Sequence, residues 1–260
     1  MSPNPSTTST TVIKIGGSTL GADDTTLEEV VALQRAGERV VVVHGGGAMI
    51  TDWLDRMHVT SEFVEGLRST SAEALDVVVA VLRGVISVQL VGQLGALGGR
   101  AIGLCGVDGG LVEAQRYDPR LGYVGQITGV DGAFLNSLLD AGVVPVIAPI
   151  GLERPSQPLN INADTVAGEV ARAIGATQLV FLTDVDGLMD ASGQVLPSIS
   201  ATEAEALRAA GTIAGGMIPK VEACFRAAEG GGVAIMANGR TPGTLRRIVM
   251  GERLGTRIGG

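Results

Sequence analysis

The sequence predicts an α/β fold on a mainly parallel sheet, and three observations carry that expectation. Short runs of β-branched residues alternate with longer amphipathic segments. One run, Val40-Val41-Val42-Val43, is apolar throughout, as a parallel strand covered on both faces must be. Glycine clusters, Gly16-Gly17 and Gly45-Gly46-Gly47, directly follow two such runs and precede helical patterns. Open α/β sheets bind ligands at that edge.

Val12–Ile15 reads as a strand ending in Gly16-Gly17-Ser18, followed by a helix from about Thr25 to Ala36 that Gly37 stops. The Val40–Val43 strand runs into His44 and the triple glycine, where another helix begins. Residues 73–97 form a long helical stretch closed by Gly98-Gly99, and Ala101–Leu104 is a strand. Turn residues and an alternating pattern over 107–129 predict an antiparallel excursion. Val143–Ile147 resumes the parallel pattern, and residues 151–162 read as a polar loop carrying Asn160 and Asn162. A helix from Asp164 to Ile174, with Asp164 as its N-cap, leads to the strand Leu179–Leu182. Helices over about 201–210 and 218–229 precede the strand Val233–Met236. No Pro/Ser-rich linker interrupts the chain, which predicts one continuous sheet with two functional halves.

At 260 residues the chain can bury a substantial core, built from aliphatic side chains because aromatics make up only 3%. A formal charge of −8 disfavours non-specific binding to nucleic acid or anionic membranes. Cys105 and Cys224 lie far apart without metal-ligand spacing and read as reduced core residues. Two histidines, His44 and His58, are too few for a His-based zinc site. His44 reads as a structural loop residue and Trp53 as packing. Residues 1–11, rich in Ser, Thr and Pro, have neither a positive n-region nor an apolar run and are expected to be a disordered tail. No apolar run long enough to cross a bilayer is expected, and the protein is expected in the cytoplasm.

Lysine usage is the sharpest chemical signal. Of nineteen Lys and Arg residues only Lys14 and Lys220 are lysines, and both sit in glycine-marked segments. A compact ammonium beside close-approaching backbone suits a phosphate, where a guanidinium fork is too wide. Asp164 could hold both ammonium groups and keep them charged. Arg68, after Gly66-Leu67, could fork onto a carboxylate. There is no Walker A loop and no Gly-x-Gly-x-x-Gly after the first strand.

Six segments in order, IKIGGS (13–18), VVHGGG (42–47), FVEGLR (63–68), NINADTVAG (160–168), LTDVDGL (182–188) and GGMIPKVEAC (215–224), resemble those of the amino acid kinase family. Within it they are similar to the branch that phosphorylates N-acetyl-L-glutamate. The resemblance implies an open αβα sandwich, ATP and Mg²⁺ as cofactors, and transfer to the γ-carboxylate of N-acetyl-L-glutamate in arginine biosynthesis. It implies that Lys14 and Lys220 flank the transferring phosphoryl with Asp164 organising them. Gly46, Gly47, Arg68 and Asn160 would bind the acceptor. Gly16, Gly17, Asp184, Gly187, Thr212, Gly216 and Met217 would bind the nucleotide. Residues 12–175 would then form the acceptor-binding and dimerisation half, and 176–260 the ATP-binding half. Arginine-inhibited relatives carry an extra N-terminal helix that the Ser/Thr/Pro tail cannot supply, so a homodimer is expected. Two other readings share these motifs: a kinase of carrier-linked aminoadipate or glutamate in lysine biosynthesis, and a non-catalytic amino-acid or nucleotide sensor.

Overall fold

The computed structural model describes residues 9–16, 25–64, 66–190 and 192–259. The N-terminal part runs β1 (Thr10–Ile15), α1 (Thr26–Arg35), β2 (Arg39–His44), α2 (Gly47–Arg56) and a short hairpin, β3 (Phe63–Val64) and β4 (Leu67–Arg68). A long helix follows as α3 (Ala72–Val79), a π-helical segment (Ala80–Ile86) and α4 (Ser87–Ala96), then β5 (Ala101–Cys105). Strands β6 (Val112–Arg116) and β7 (Gly125–Val130), helix α5 (Gly132–Asp140), and strands β8 (Val144–Ala148), β9 (Ile150–Glu153) and β10 (Gln157–Asn160) complete this part. The remainder is α6 (Ala163–Ala173), β11 (Gln178–Thr183), β12 (Ser198–Ile199), α7 (Ala201–Ala209), α8 (Met217–Glu229), β13 (Val233–Asn238), α9 (Thr244–Val249) and β14 (Thr256–Ile258).

The main sheet has eight strands in the order β12-β14-β13-β11-β1-β2-β8-β5. All its pairings are parallel except β13 with β14. Alternation along the central strands divides the core. Val12, Val41 and Val43 face the layer holding α6 and α8, while Ile13, Ile15, Val40 and Val42 face the layer of α1, α2 and the long helix. This is an open αβα sandwich, as the family resemblance implied.

Five expectations change. Strand β1 begins at Thr10, and Thr10 and Thr11 are buried in the sheet rather than part of a tail; residues 1–8 lie outside the described residues. The antiparallel excursion pairs as expected, β6 with β7, but the stretch read as a polar loop is the hairpin β9–β10, joined to it. Together they make a separate four-stranded sheet, β10-β9-β6-β7, so the strands do not form one continuous sheet. His44 is the last residue of β2 and is buried, not a loop residue. The helix Ala72–Ala96, at 25 residues, is long and apolar enough by length and composition to cross a membrane, contrary to the reading of the sequence, although half of its apolar stretch is buried inside the fold. Cys105 and Cys224 are free and buried, as expected.

Candidate active site

Strand β1 lies where the sheet changes direction of winding, with β2 on one side and β11 on the other. The register sets Lys14 between Val43 and Phe181. The β1 and β2 ends are tied by the Gly45 N–H, which donates to the Ile15 carbonyl at 3.0 Å. Lys14 shares its face with Val12 and therefore points toward the α6–α8 layer.

Helix α6 brings a carboxylate to that lysine. Its N-cap is Asn162, whose Oδ1 accepts from the backbone N–H groups of Asp164 (2.8 Å) and Thr165 (3.1 Å). Asp164 is thus not the cap. Because Asn162 satisfies the helix end, the Asp164 carboxylate is left to the lysines. Lys14 Nζ lies 2.8 Å from Oδ1 and Lys220 Nζ 3.0 Å from Oδ2. Lys220 belongs to the first turn of α8 and also sits over the Phe181 ring, 5.1 Å from its centroid. The two helices come this close because residue 168 is glycine. A Cβ there would fall 2.7 Å from the Ala223 carbonyl oxygen and 3.0 Å from its Cα.

Burial is the largest influence on both sites of the Lys14–Asp164 pair. It pushes the Lys14 ammonium down, the nearby Lys220 charge adds to that, and Asp164 opposes it; the net result is below the ordinary lysine value. Burial would raise Asp164, but the two lysines outweigh it and hold the carboxyl below the usual carboxylate range. The site is therefore an ionised carboxylate under two cations, one net positive charge in a partly desolvated position.

Beside this triad opens a cleft of about 230 Å³ lined by Lys14, Gly46, Gly47, Arg68, Asn160 and Asp164 among others. All four residues expected to bind the acceptor line it. Arg68 Nη2 donates to the Gly47 carbonyl (3.2 Å) and Thr51 Oγ1 (2.7 Å), and its guanidinium lies over the Phe63 ring at 4.5 Å. Its Nε and Nη1 make no hydrogen bond among the described residues, which leaves donors for a carboxylate. Gly46 is required by space: a Cβ would meet Leu82 and Ile86 of the π-helical segment at 2.7 Å each. Gly47 lines the cleft and has nothing within 4 Å of such an atom, so no side chain screens it on that flank.

Two helix N-termini remain without a side-chain cap or a first-turn acid near this site. They are α2, with Gly46 as N-cap, and α8, with Gly216. By contrast α3, α5, α6 and α7 are closed by Ser71, Asp131, Asn162 and Ser200. Uncapped N–H groups and the positive dipole end suit an anion.

The residues expected to bind nucleotide lie outside this cleft. Asp184 follows β11 and is exposed, 3.9 Å from Arg240 Nη2. Thr212 follows α7, its N–H donating to the Leu207 carbonyl. Gly216 and Met217 begin α8. Gly187 has a packing reason of its own, since a Cβ would lie 2.7 Å from both Thr256 Oγ1 and Val195 Cγ1. Gly16 directly follows β1, and Gly17 lies outside the described residues. The two groups approach at the β3–β4 turn, where a Cβ on Gly66 would be 3.6 Å from the Gly215 carbonyl oxygen. Reading the sequence missed Asn162 as the cap, although Asn three residues before Thr165 is a cap pattern. It also gave no role to Phe63, whose contact with the Arg68 guanidinium no local pattern signals.

Known proteins resemble the chain along nearly its whole length. It is 43% identical over 250 residues to an acetylglutamate kinase from Acidiphilium cryptum strain JF-5, covering 90% of this chain and 84% of that one. To an acetylglutamate kinase from Dehalococcoides mccartyi it is 39% identical over 253 residues, covering 95% and 93%. The solved structure of smu.665 from Streptococcus mutans UA159 superposes with a TM-score of 0.83 at 29% identity, covering 96% of this chain and 98% of that one. The model of the amino acid kinase family matches residues 9–236. The chain belongs to the amino acid kinase family.

Proposed function

We propose that the chain transfers the γ-phosphoryl group of ATP to the γ-carboxylate of N-acetyl-L-glutamate, giving N-acetyl-L-glutamyl 5-phosphate and ADP, in cytoplasmic arginine biosynthesis. The observation that carries this reading is the Asp164 carboxylate held between Lys14 and Lys220 at a cleft that offers Arg68 and bare glycine backbone. The acetylglutamate kinases at 39–43% identity support the choice of acceptor and speak against the carrier-linked alternative. Intact transfer lysines speak against a pure sensor, which has no need of them.

The acceptor carboxylate has a reference pKa of about 4.3 and is ionised at neutral pH, so no general base is needed. One of its oxygens attacks the γ-phosphorus, the bond to the β,γ-bridging oxygen breaks, and that electron pair leaves with ADP. No proton moves. The barrier is the approach of an anion to a polyanion and the charge spread over the phosphoryl oxygens. Lys14 and Lys220 neutralise that charge from two sides, and Asp164 fixes their separation before reaction. The N–H groups at the start of α2, at Gly46 and Gly47, face the acceptor carboxylate, while Arg68 and Asn160 hold the rest of the amino acid. Gly16, Asp184, Gly187, Thr212, Gly216 and Met217 surround the nucleotide, with the open end of α8 toward its phosphates; the same role for Gly17, outside the described residues, rests on the family resemblance. Among the described residues no three His, Cys, Asp or Glu side chains gather as a ligand set, so Mg²⁺ enters with the ATP phosphates as part of the donor substrate.

A homodimer is part of the reading. Ala80, Gly84, Val88 and Gly92 lie exposed at four-residue spacing along the long helix, where small side chains permit close approach of a second helix. Light scattering after size exclusion tests it, with about twice the chain mass of 26.4 kDa expected.

The direct test is turnover of ATP, Mg²⁺ and N-acetyl-L-glutamate with hydroxylamine present, which traps the acyl phosphate as a hydroxamate. Hydroxamate from N-acetyl-L-glutamate but not from L-glutamate or N-acetyl-L-aspartate is the expected result. Turnover only with carrier-linked aminoadipate would move the chain to that branch, and ATP binding without any turnover would favour the sensor.

A further inference from the structure

Thr70 lies just before α3, is 1% exposed and touches both acceptor residues. Its hydroxyl donates to the Arg68 carbonyl at 2.9 Å and accepts from Asn160 Nδ2 at 3.0 Å. The backbone around it is closely tied. The Tyr123 N–H donates to the Thr70 carbonyl at 2.8 Å, and the Asn160 N–H donates to the Tyr123 carbonyl at 2.9 Å. Gly122, at φ +68°, is the turn that lets this loop approach, since a Cβ there would be 2.3 Å from the Thr70 carbonyl oxygen.

A threonine hydroxyl has one proton. With that proton on the Arg68 carbonyl, Thr70 can only accept from Asn160, so the amide nitrogen of Asn160 must face Thr70 and its Oδ1 must face away. Three side chains lining the cleft carry acceptors: Asn160, Asn162 and Asp164. Asn162 Oδ1 already accepts two backbone N–H groups, and Asp164 is held by two lysines. Among the described residues, Asn160 Oδ1 is the side-chain acceptor in the cleft with no commitment.

We propose that Thr70 is a specificity-determining positioning residue: by fixing the Asn160 amide it presents Oδ1 as a hydrogen-bond acceptor for the acetamido N–H of the substrate. This rests on the acetylglutamate reading. At neutral pH that substrate has two carboxylates and an acetyl carbonyl, all acceptors, and a single donor, the amide N–H. The cleft offers one uncommitted side-chain acceptor to match it. An analogue with oxygen in place of that N–H sets one acceptor against another and leaves Oδ1 unpaired.

The test compares N-acetyl-L-glutamate with its ester isostere, (S)-2-acetoxyglutarate, in wild type, Thr70→Val and Thr70→Ser. Wild type should prefer the amide by about 100-fold or more in kcat/KM, as sites built around a substrate N–H do. Thr70→Val frees the Asn160 amide to turn over. It should lower that preference by about tenfold or more and raise KM for the amide more than it lowers kcat, because the contact serves ground state and transition state alike. Thr70→Ser keeps the hydroxyl and should keep the preference. Wild type accepting the ester within a few-fold overturns the assignment, and that ratio stands whether or not Thr70→Val folds. It is equally overturned if Thr70→Val retains the full preference or if Thr70→Ser loses it. Wild type that turns over neither compound would sink the acetylglutamate reading, and this assignment with it.

Discussion

Lys14 and Lys220 share one carboxylate, and both side chains are mostly buried. Asp164→Asn removes the negative partner and leaves two ammonium groups facing each other. Breaking a buried pair in this way should lower unfolding free energy by about 3–5 kcal/mol, measured by chemical denaturation. It also has a pH signature. Lys14 is already held below 10.5, so the alkaline limb of kcat in the parent should fall below that pH. Asp164→Asn should move the limb further down, because the influence that raises Lys14 is gone. His44 behaves differently: burial takes its pKa down from 6.5 to about 4, its Nδ1 faces the Gly45 carbonyl at 3.1 Å, and its Nε2 is buried without a partner among the described residues. The folded state therefore favours the neutral ring. Its contribution is complete above pH 6.5 and is lost as pH falls toward 4, a change of about 3 kcal/mol. His44→Gln should flatten the stability–pH curve across that range, seen by denaturation at a series of pH values. At this scale the sequence was most informative about the lysines, because so few occur. The Thr70–Asn160 bond spans 90 residues and leaves no local trace.

Elements carry the site through two close approaches. Helices α6 and α8 meet at Gly168 and Ala223, one turn from Asp164 and Lys220 respectively. Gly168→Ala adds a methyl where backbone already stands, and overpacking of this kind costs about 1–3 kcal/mol. The helices must part, so kcat should fall along with thermal stability even though residue 168 touches no substrate. Unchanged kcat with a lowered Tm would mean that the helix spacing does not set the triad. The long elements were legible because their patterns are strong: the four consecutive valines of β2 and the glycine stops after α1 and α4. The hairpin β9–β10 was not, since Gly151, Pro155 and Pro158 read as loop, and its strands of four residues each gain their order from pairing with one another and with β6. The Asn162 cap escaped for a related reason: Asp164 is also a good capping residue, and only the geometry distinguishes which side chain closes the helix.

For the whole molecule, β1 lies between β2 and β11 where the strand order reverses, the kind of edge at which open sheets bind ligands; in the proposed function it joins the acceptor side to the nucleotide side. Lys14 comes from β1, Asp164 from α6 and Lys220 from α8, so one charge cluster draws on chain segments far apart in sequence. The parallel sheet and its glycine edges were readable from pattern alone. The convergence of the three charges was suggested by the scarcity of lysine and by the family resemblance, because no periodicity links residues 14, 164 and 220. The central claim is that two compact ammonium groups fixed by Asp164 carry phosphoryl transfer. It is tested most directly by kcat for hydroxamate formation, at saturating ATP and N-acetyl-L-glutamate, in Lys14→Arg and Lys220→Arg beside wild type. Each substitution keeps the charge and loses the shape. A fall of about 100-fold or more in kcat in both variants, with ATP still bound, is expected. Near wild-type kcat in either variant would contradict the claim.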